Sequence, residues 1–194
     1  MHKNRMFALG VLSLFVLPLG CAPKATTQPA NPGKPEGAQI PAPITAKVDN
    51  AELVAIYQLD QIDRQSEPID WAAVSQRDTE RQLRVRQLLE SGEVQTGADY
   101  HHAALVLQHS SEVEGIKLAH ELAMVGMALG DRESRWLAAA SYDRLLTKLG
   151  LGQRFGTQYV SNGAGDPMHF APIEPGVTDG MRAAMKCPAL REAP

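Results

Sequence analysis

From Asn50 to Gly152 the chain is a run of apolar stripes at helical spacing, each cut by glycine or proline. That punctuation restricts it to short helices that bury one face against one another. Asn50 is placed to cap a helix over A-E-L-V-A-I-Y-Q-L-D-Q-I-D-R, on which Leu53, Ile56 and Tyr57 share a side. Pro68 ends it, because proline lacks an N–H and disfavours helix at the preceding Glu67. A second helix is expected over T-E-R-Q-L-R-V-R-Q-L-L-E, after Asp78 and before Gly92, and a third from Ala98 to His109. Ser110 or Ser111 caps a fourth, with Val113, Ile116, Ala119, Leu122 and Ala123 as its stripe and Gly130 as its stop. The fifth runs from Glu133 to Leu149, with Ala138, Tyr142, Leu145 and Leu149 towards the core. Very short links make the third to fifth helices antiparallel neighbours, and Ala119, Ala123, Ala139 and Ala140 permit close approach. No repeat period recurs, so a solenoid is only an analogy.

Beyond Gly152 the pattern changes. R-F-G-T-Q-Y-V and M-H-F-A-P-I-E are short β-branched or aromatic runs separated by S-N-G-A-G-D-P, which predicts a small hairpin. A short last helix is expected from Thr178 to Lys186, before Pro188. The expected fold is therefore mainly α: about five helices in antiparallel hairpins, a small C-terminal extended segment and a short final helix.

The folded body does not begin at residue 1. His2, Lys3 and Arg5 precede an apolar stretch from Met6 to Leu19, a basic region and hydrophobic core of signal-peptide length. The ending L-P-L-G-C resembles a bacterial lipoprotein signal, with Pro18 where leucine is usual. That resemblance implies removal of residues 1–20 and acylation of Cys21, giving a membrane anchor. Ala22, rather than aspartate, after Cys21 points to the outer membrane, facing the periplasm. Residues 22–47 hold six prolines and no aromatic residue, so they cannot bury enough apolar surface to order themselves. With Cys21 they form a tether reaching roughly 30 Å as a coil and about 80 Å if extended. Residues 48–194 then form a single domain.

Once Cys21 is acylated, Cys187 has no partner for an internal disulfide and reads as a packed thiol. Without Lys3 and Arg5, the 19 basic residues fall to 17 against 22 acidic ones. Binding to nucleic acid is not expected of such a surface.

The polar residues of the odd-numbered helices sit on the wrong faces. Leu53, Ile56, Tyr57, Asp60 and Arg64 follow one helical side, so the apolar stripe runs into an acid and a base four residues apart. Gln108 shares a face with Ala104 and Leu105 on the third helix, with His109 beside it. Asp143 follows Trp136, Ala139 and Ala140 on the fifth, with Arg144 on its flank. Odd helices in an up-and-down bundle point the same way, so these groups are expected to gather at one end. G-Q-R-F-G-T-Q leaves the fifth helix there and adds Gln153, Thr157 and Gln158 to the cluster.

D-Q-I-D-R, L-V-L-Q-H, Y-D-R before G-L-G-Q-R-F-G-T-Q, and the closing M-R-A-A-M-K-C-P-A-L together resemble an uncharacterised bacterial family, domain of unknown function 6624. The resemblance spans residues 52–192. It maps onto Asp60, Gln61, Arg64, Gln108, His109, Asp143, Arg144, Gln153, Gly156, Thr157 and Gln158. Phe155 stands where tyrosine is commoner, and S-G-E-V-Q-T-G replaces a Gly-Trp-Pro element before the third helix. The resemblance implies no activity.

Three readings of the cluster compete. Buried Asp, Arg and Gln can be a purely structural network, with Arg64 and Asp60 as partners for Asp143 and Arg144. They can line a concavity in which arginines grip a carboxylate or phosphate of a polar ligand or protein partner. They can also form a hydrolase site, His109 beside Asp143 acting as general base. No nucleophile stands in an elbow motif. No metal or cofactor is expected: His102 and His109 lie about 10.5 Å apart along a helix, whereas ligands of one zinc lie within about 4 Å of each other. The expected function is a lipid-anchored binding or scaffolding domain, with the hydrolase as alternative.

Overall fold

The computed structural model describes residues 47–65, 67–161, 163 and 166–190. The signal segment, Cys21 and nearly all of the tether lie outside the described residues. What is described is mainly helical, with a minimal two-stranded sheet and a short last helix.

Helix α1 (Ala51–Gln65) starts where Asn50 Oδ1 accepts the Leu53 N–H at 2.9 Å. Helix α2 (Trp71–Glu90) begins two turns before the expected start. Asp70 accepts the N–H groups of Ala72 and Ala73, and this cap was missed because only Val74 is buried in the first turns, leaving no stripe to follow. Helix α3 (Gly97–Leu107) opens on a capping box, Thr96 and Asp99 each accepting the other's N–H. Helix α4 (Val113–Ala128) has Glu112 rather than a serine at its cap. Ser110 Oγ instead accepts the Glu112 N–H and so shapes the link. On helix α5 (Ser134–Lys148) the expected stripe holds at Ala138, which is buried, but Tyr142 and Leu145 are only half-buried and Leu149 is exposed, while Leu137 and Ser141 are buried in their place.

Pairings across the helices fix their directions. Arg64 meets Asp78, while Glu52 meets Arg84, so α1 and α2 run antiparallel. Asp99 accepts the backbone N–H of Asn50 at 2.7 Å, and His109 lies beside Asp60, so α1 and α3 run parallel. Helix α4 packs between α3 and α5. A methyl group on Gly126 would stand 2.4 Å from Ser134 Oγ and 3.1 Å from the Gly97 carbonyl, so α4 meets the starts of α3 and α5 where only hydrogen fits. The core between the helices includes Leu53, Val85, Leu88, Leu107, Leu122 and Leu137. Each such leucine contributes about 1.5–3 kcal/mol relative to exposure.

The hairpin shrinks to β1 (Tyr159–Val160) paired antiparallel with β2 (His169–Phe170). A parallel bridge joins Gln153 and Ile173. The first half of the expected strand, Arg154 to Thr157, is loop. Helix α6 (Asp179–Ala184) follows, with Thr178 accepting the Met181 N–H.

Asp99 is the polar anchor of the opposite end. Fully buried, it accepts the N–H groups of Asn50, Gln95 and Thr96. Asp99→Ala strands three donors and is expected to cost about 2–4 kcal/mol. Chemical denaturation reads this as a lower midpoint with an unchanged slope.

Candidate functional site

The C-terminal ends of α1, α3 and α5 do meet, but their polar groups divide into two assemblies. In the first, Asp143 is fully buried and turned into the loop that leaves α5. Its carboxylate accepts the N–H groups of Arg154 at 2.7 Å, Phe155 at 2.9 Å and Thr157 at 3.1 Å, and the Thr157 hydroxyl at 2.8 Å. Contrary to expectation, Arg64 is not its partner, nor is Asp60 that of Arg144. Asp143 lies below converging backbone donors, which satisfy a charged acceptor more completely than one guanidinium would.

The amides finish this clasp. Gln153 donates to the carbonyls of Gln158 and Ala171 and accepts the Gln158 N–H. Gln158 donates to the Ala140 carbonyl and to Thr157 Oγ1. Arg182 of α6, almost wholly buried, donates to the carbonyls of Phe155 and Arg154. Gly156, at φ +71°, has its Cα against the Arg182 guanidinium, and an added Cβ would lie 3.0 Å from Nη1. Arg182 was missed because its partners are main-chain carbonyls, which leave no mark in the sequence.

The second assembly begins at Asp60, also fully buried. Arg64 bridges Asp60 at 2.8 Å and Asp78 at 2.6 Å. Arg81 continues from Asp78 at 3.5 Å to Asp63, and Arg77 closes on Asp63 at 2.7 Å. Three carboxylates thus alternate with three guanidiniums between α1 and α2. Gln61 donates to Asp60 at 2.9 Å. Gln108 is buried, and its Oε1 has no hydrogen-bond partner among the described residues.

His109 and Arg144 complete the group. His109 Nε2 stands 3.7 Å from Asp60 Oδ2, so the acid beside the imidazole is Asp60 and not the expected Asp143. Desolvation outweighs attraction here. Burial, helped by the nearby Arg64 and Arg144 cations, pushes the His109 pKa down to about 3. Burial raises that of Asp60 to about 6, although Arg64 pulls it the other way. At neutral pH the imidazole is uncharged, and the two do not form an ion pair. Arg144 is half-buried, and its pKa is lowered by burial and by Arg64. Its guanidinium has no carboxylate or hydrogen-bond partner among the described residues.

Asp60 is sealed off, but Arg64 and His109 beside it each keep 17% of their side-chain surface exposed. A cavity of about 380 Å³ lies on the other side of the clasp, lined by Tyr142, Leu146, Arg154, Phe155 and Met181. Among the described residues no group of three or more His, Cys, Asp or Glu side chains is placed to hold a metal ion.

Asp143→Asn replaces an acceptor with an amide donor facing three N–H groups. It is expected to lower stability by about 2–4 kcal/mol, roughly 6–12 °C in melting temperature. The pH dependence separates the other pair. His109 binds a proton in the unfolded chain below about 6.5 but in the folded one only near 3, so its stability contribution is present above 6.5 and is lost on acidification. Asp60 acts oppositely, its contribution being present below 3.8 and lost as pH rises through about 6. Between pH 7 and 5 the His109→Gln variant is therefore expected to lose about 1–2 kcal/mol less stability than the parent. Parallel stability–pH curves would contradict the assignment. No family model, curated protein or solved structure matches the chain.

Proposed function

We propose that the protein is a lipid-anchored cell-envelope protein whose helical domain binds an anionic group, a carboxylate or phosphate, at Arg144 beside Arg64, Gln61, Gln108 and His109. One observation carries the reading: Arg144 is a half-buried guanidinium without an acidic partner among the described residues, next to a second guanidinium. The neighbouring charges already balance, since Asp60, Asp63 and Asp78 offset Arg64, Arg77 and Arg81. A partly buried surplus cation is unfavourable alone and becomes favourable when a carboxylate or phosphate accepts its forked donors. Asp143, Gln153, Thr157 and Gln158 serve this reading indirectly, by fixing the loop next to Arg144.

The membrane anchor rests on L-P-L-G-C and the proline-rich tether, and the outer-membrane placement on Ala22. No helix of the described residues is long and apolar enough to cross a membrane. Membership of domain of unknown function 6624 rests on the motif order given above. A second reading keeps His109 as a general base. In its favour stands the placement of His109 Nε2 at 3.7 Å from the Asp60 carboxyl group; a pKa of about 3 makes the imidazole a weak base, which puts this reading second.

Calorimetric titration with inorganic phosphate and with succinate tests the leading reading. The expected result is saturable binding to the parent protein and its loss in Arg144→Gln at unchanged circular dichroism. Equal heats in both proteins would refute it. Cys21→Ala is expected to move the protein from membrane to soluble fractions, and unchanged sedimentation would remove the anchor. If screening finds hydrolysis of any ester, His109→Ala abolishes it; retained turnover excludes His109 as the base.

A further inference from the structure

A second cavity, about 180 Å³, opens between α4, α5 and α6, and its wall has an uncommon composition. His120, Met124, Met127 and Met185 all line it, together with Ala138, Ala139, Tyr142 and Phe155. His120, Met124 and Met127 belong to one stretch of α4, H-E-L-A-M-V-G-M, at positions i, i+4 and i+7, which fall on one helix face. Met185 arrives from the end of α6. Methionine thioethers often serve as flexible apolar filling. Here the histidine gives them another use.

His120 Nδ1 lies 3.0 Å from the Ala138 carbonyl, which can only accept. That contact places the ring proton on Nδ1 and leaves Nε2 with a free lone pair. A backbone carbonyl holding the far nitrogen is the arrangement by which proteins orient a metal-ligating histidine. Burial also lowers the His120 pKa, against the opposing effect of the Ala138 carbonyl. Ser141 donates to the Leu137 carbonyl at 2.7 Å and packs beside His120, fixing the ring further.

We infer that His120 and Met124, completed by the Met185 thioether, form a binding site for a soft monovalent cation, Cu(I) or Ag(I). Thioether sulfur and imidazole nitrogen select such ions, and without a carboxylate the set offers little to Mg²⁺ or Ca²⁺. The pair His120 and Met124 lies one turn apart, about 5–6 Å between Cβ atoms, within bridging reach of one ion. Met127, seven residues from His120 and about 10.5 Å along the helix, lies beyond that reach, so the third donor comes from Met185 across the cavity. Binding is ligand exchange only, with no electron transferred and no proton released. Spacing rules for zinc do not detect such a set, because they count thiolates, imidazoles and carboxylates but not thioethers.

The test is titration of the full chain with silver nitrate, after ¹³C-methyl labelling of methionine. Cys21→Ala and Cys187→Ala remove competing thiols. One equivalent is expected to shift the methyl resonances of Met124 and Met185, leaving the exposed Met168 unmoved. His120→Gln and Met124→Leu are each expected to weaken binding at least tenfold. Met124 is 44% exposed and leucine keeps its bulk, so the fold survives that change. Unchanged affinity in Met124→Leu, or shifts spread equally to Met168, would overturn the assignment.

Discussion

The charge balance at the joined ends of α1, α2, α3 and α5 governs the rest of this structure. Asp60 is wholly buried at the end of an apolar stripe, and it is tolerable there because Arg64 spans it and Asp78. The alternation through Arg81, Asp63 and Arg77 extends that compensation towards solvent. Burying two opposite charges gains little over apolar packing of similar volume, whereas removing one partner is costly. The ladder therefore fixes how α1 and α2 register more than it adds stability. Arg144 stands outside that balance.

The clasp on Asp143 addresses a different problem. A helix ending in glycines leaves a loop free to wander, and four donors from one turn of that loop close on a single carboxylate. Gln153 and Gln158 tie the loop to Ala171, just after β2, and to α5, and Arg182 ties it to α6. Asp143 and Arg144 are neighbours in sequence, yet one faces the loop and the other the ion ladder. Their adjacency on α5 couples the two assemblies, so Arg144 projects from a helix end that the clasp holds from behind.

Much of this was legible from residue order. Polar residues interrupting apolar stripes at Asp60, Gln108 and Asp143 announced buried polar groups, and parallel odd helices brought them to one end. Asn50 as a cap and Gly130 as a stop follow from local chemistry alone. Partner choice was not legible. Asp143 was matched to side chains, whereas its partners are backbone N–H groups, which every residue but proline carries. Asp99 and Arg182 escaped for the same reason. The start of α2 and the cap of α4 were misplaced because Asp70 precedes a segment with little apolar content, and Ser110 spends its oxygen on the link. Leu149 faces solvent because the core face of α5 is led by Leu137 and Ser141 rather than by Tyr142 and Leu145.

The His/Met set on α4 and the surplus cation on α5 lie on different sides of the bundle and make independent demands on it. The central claim concerns the cation: Arg144 is held for a partner outside the chain rather than for the fold. Thermal unfolding of Arg144→Met in buffer free of polyvalent anions tests it most directly, because methionine keeps an unbranched apolar stem and removes the guanidinium with its charge. The account predicts a melting temperature equal to or above that of the parent, since an uncompensated, partly buried cation next to Arg64 is relieved. A fall of several degrees would show that Arg144 is a structural partner in its own fold and would contradict the account.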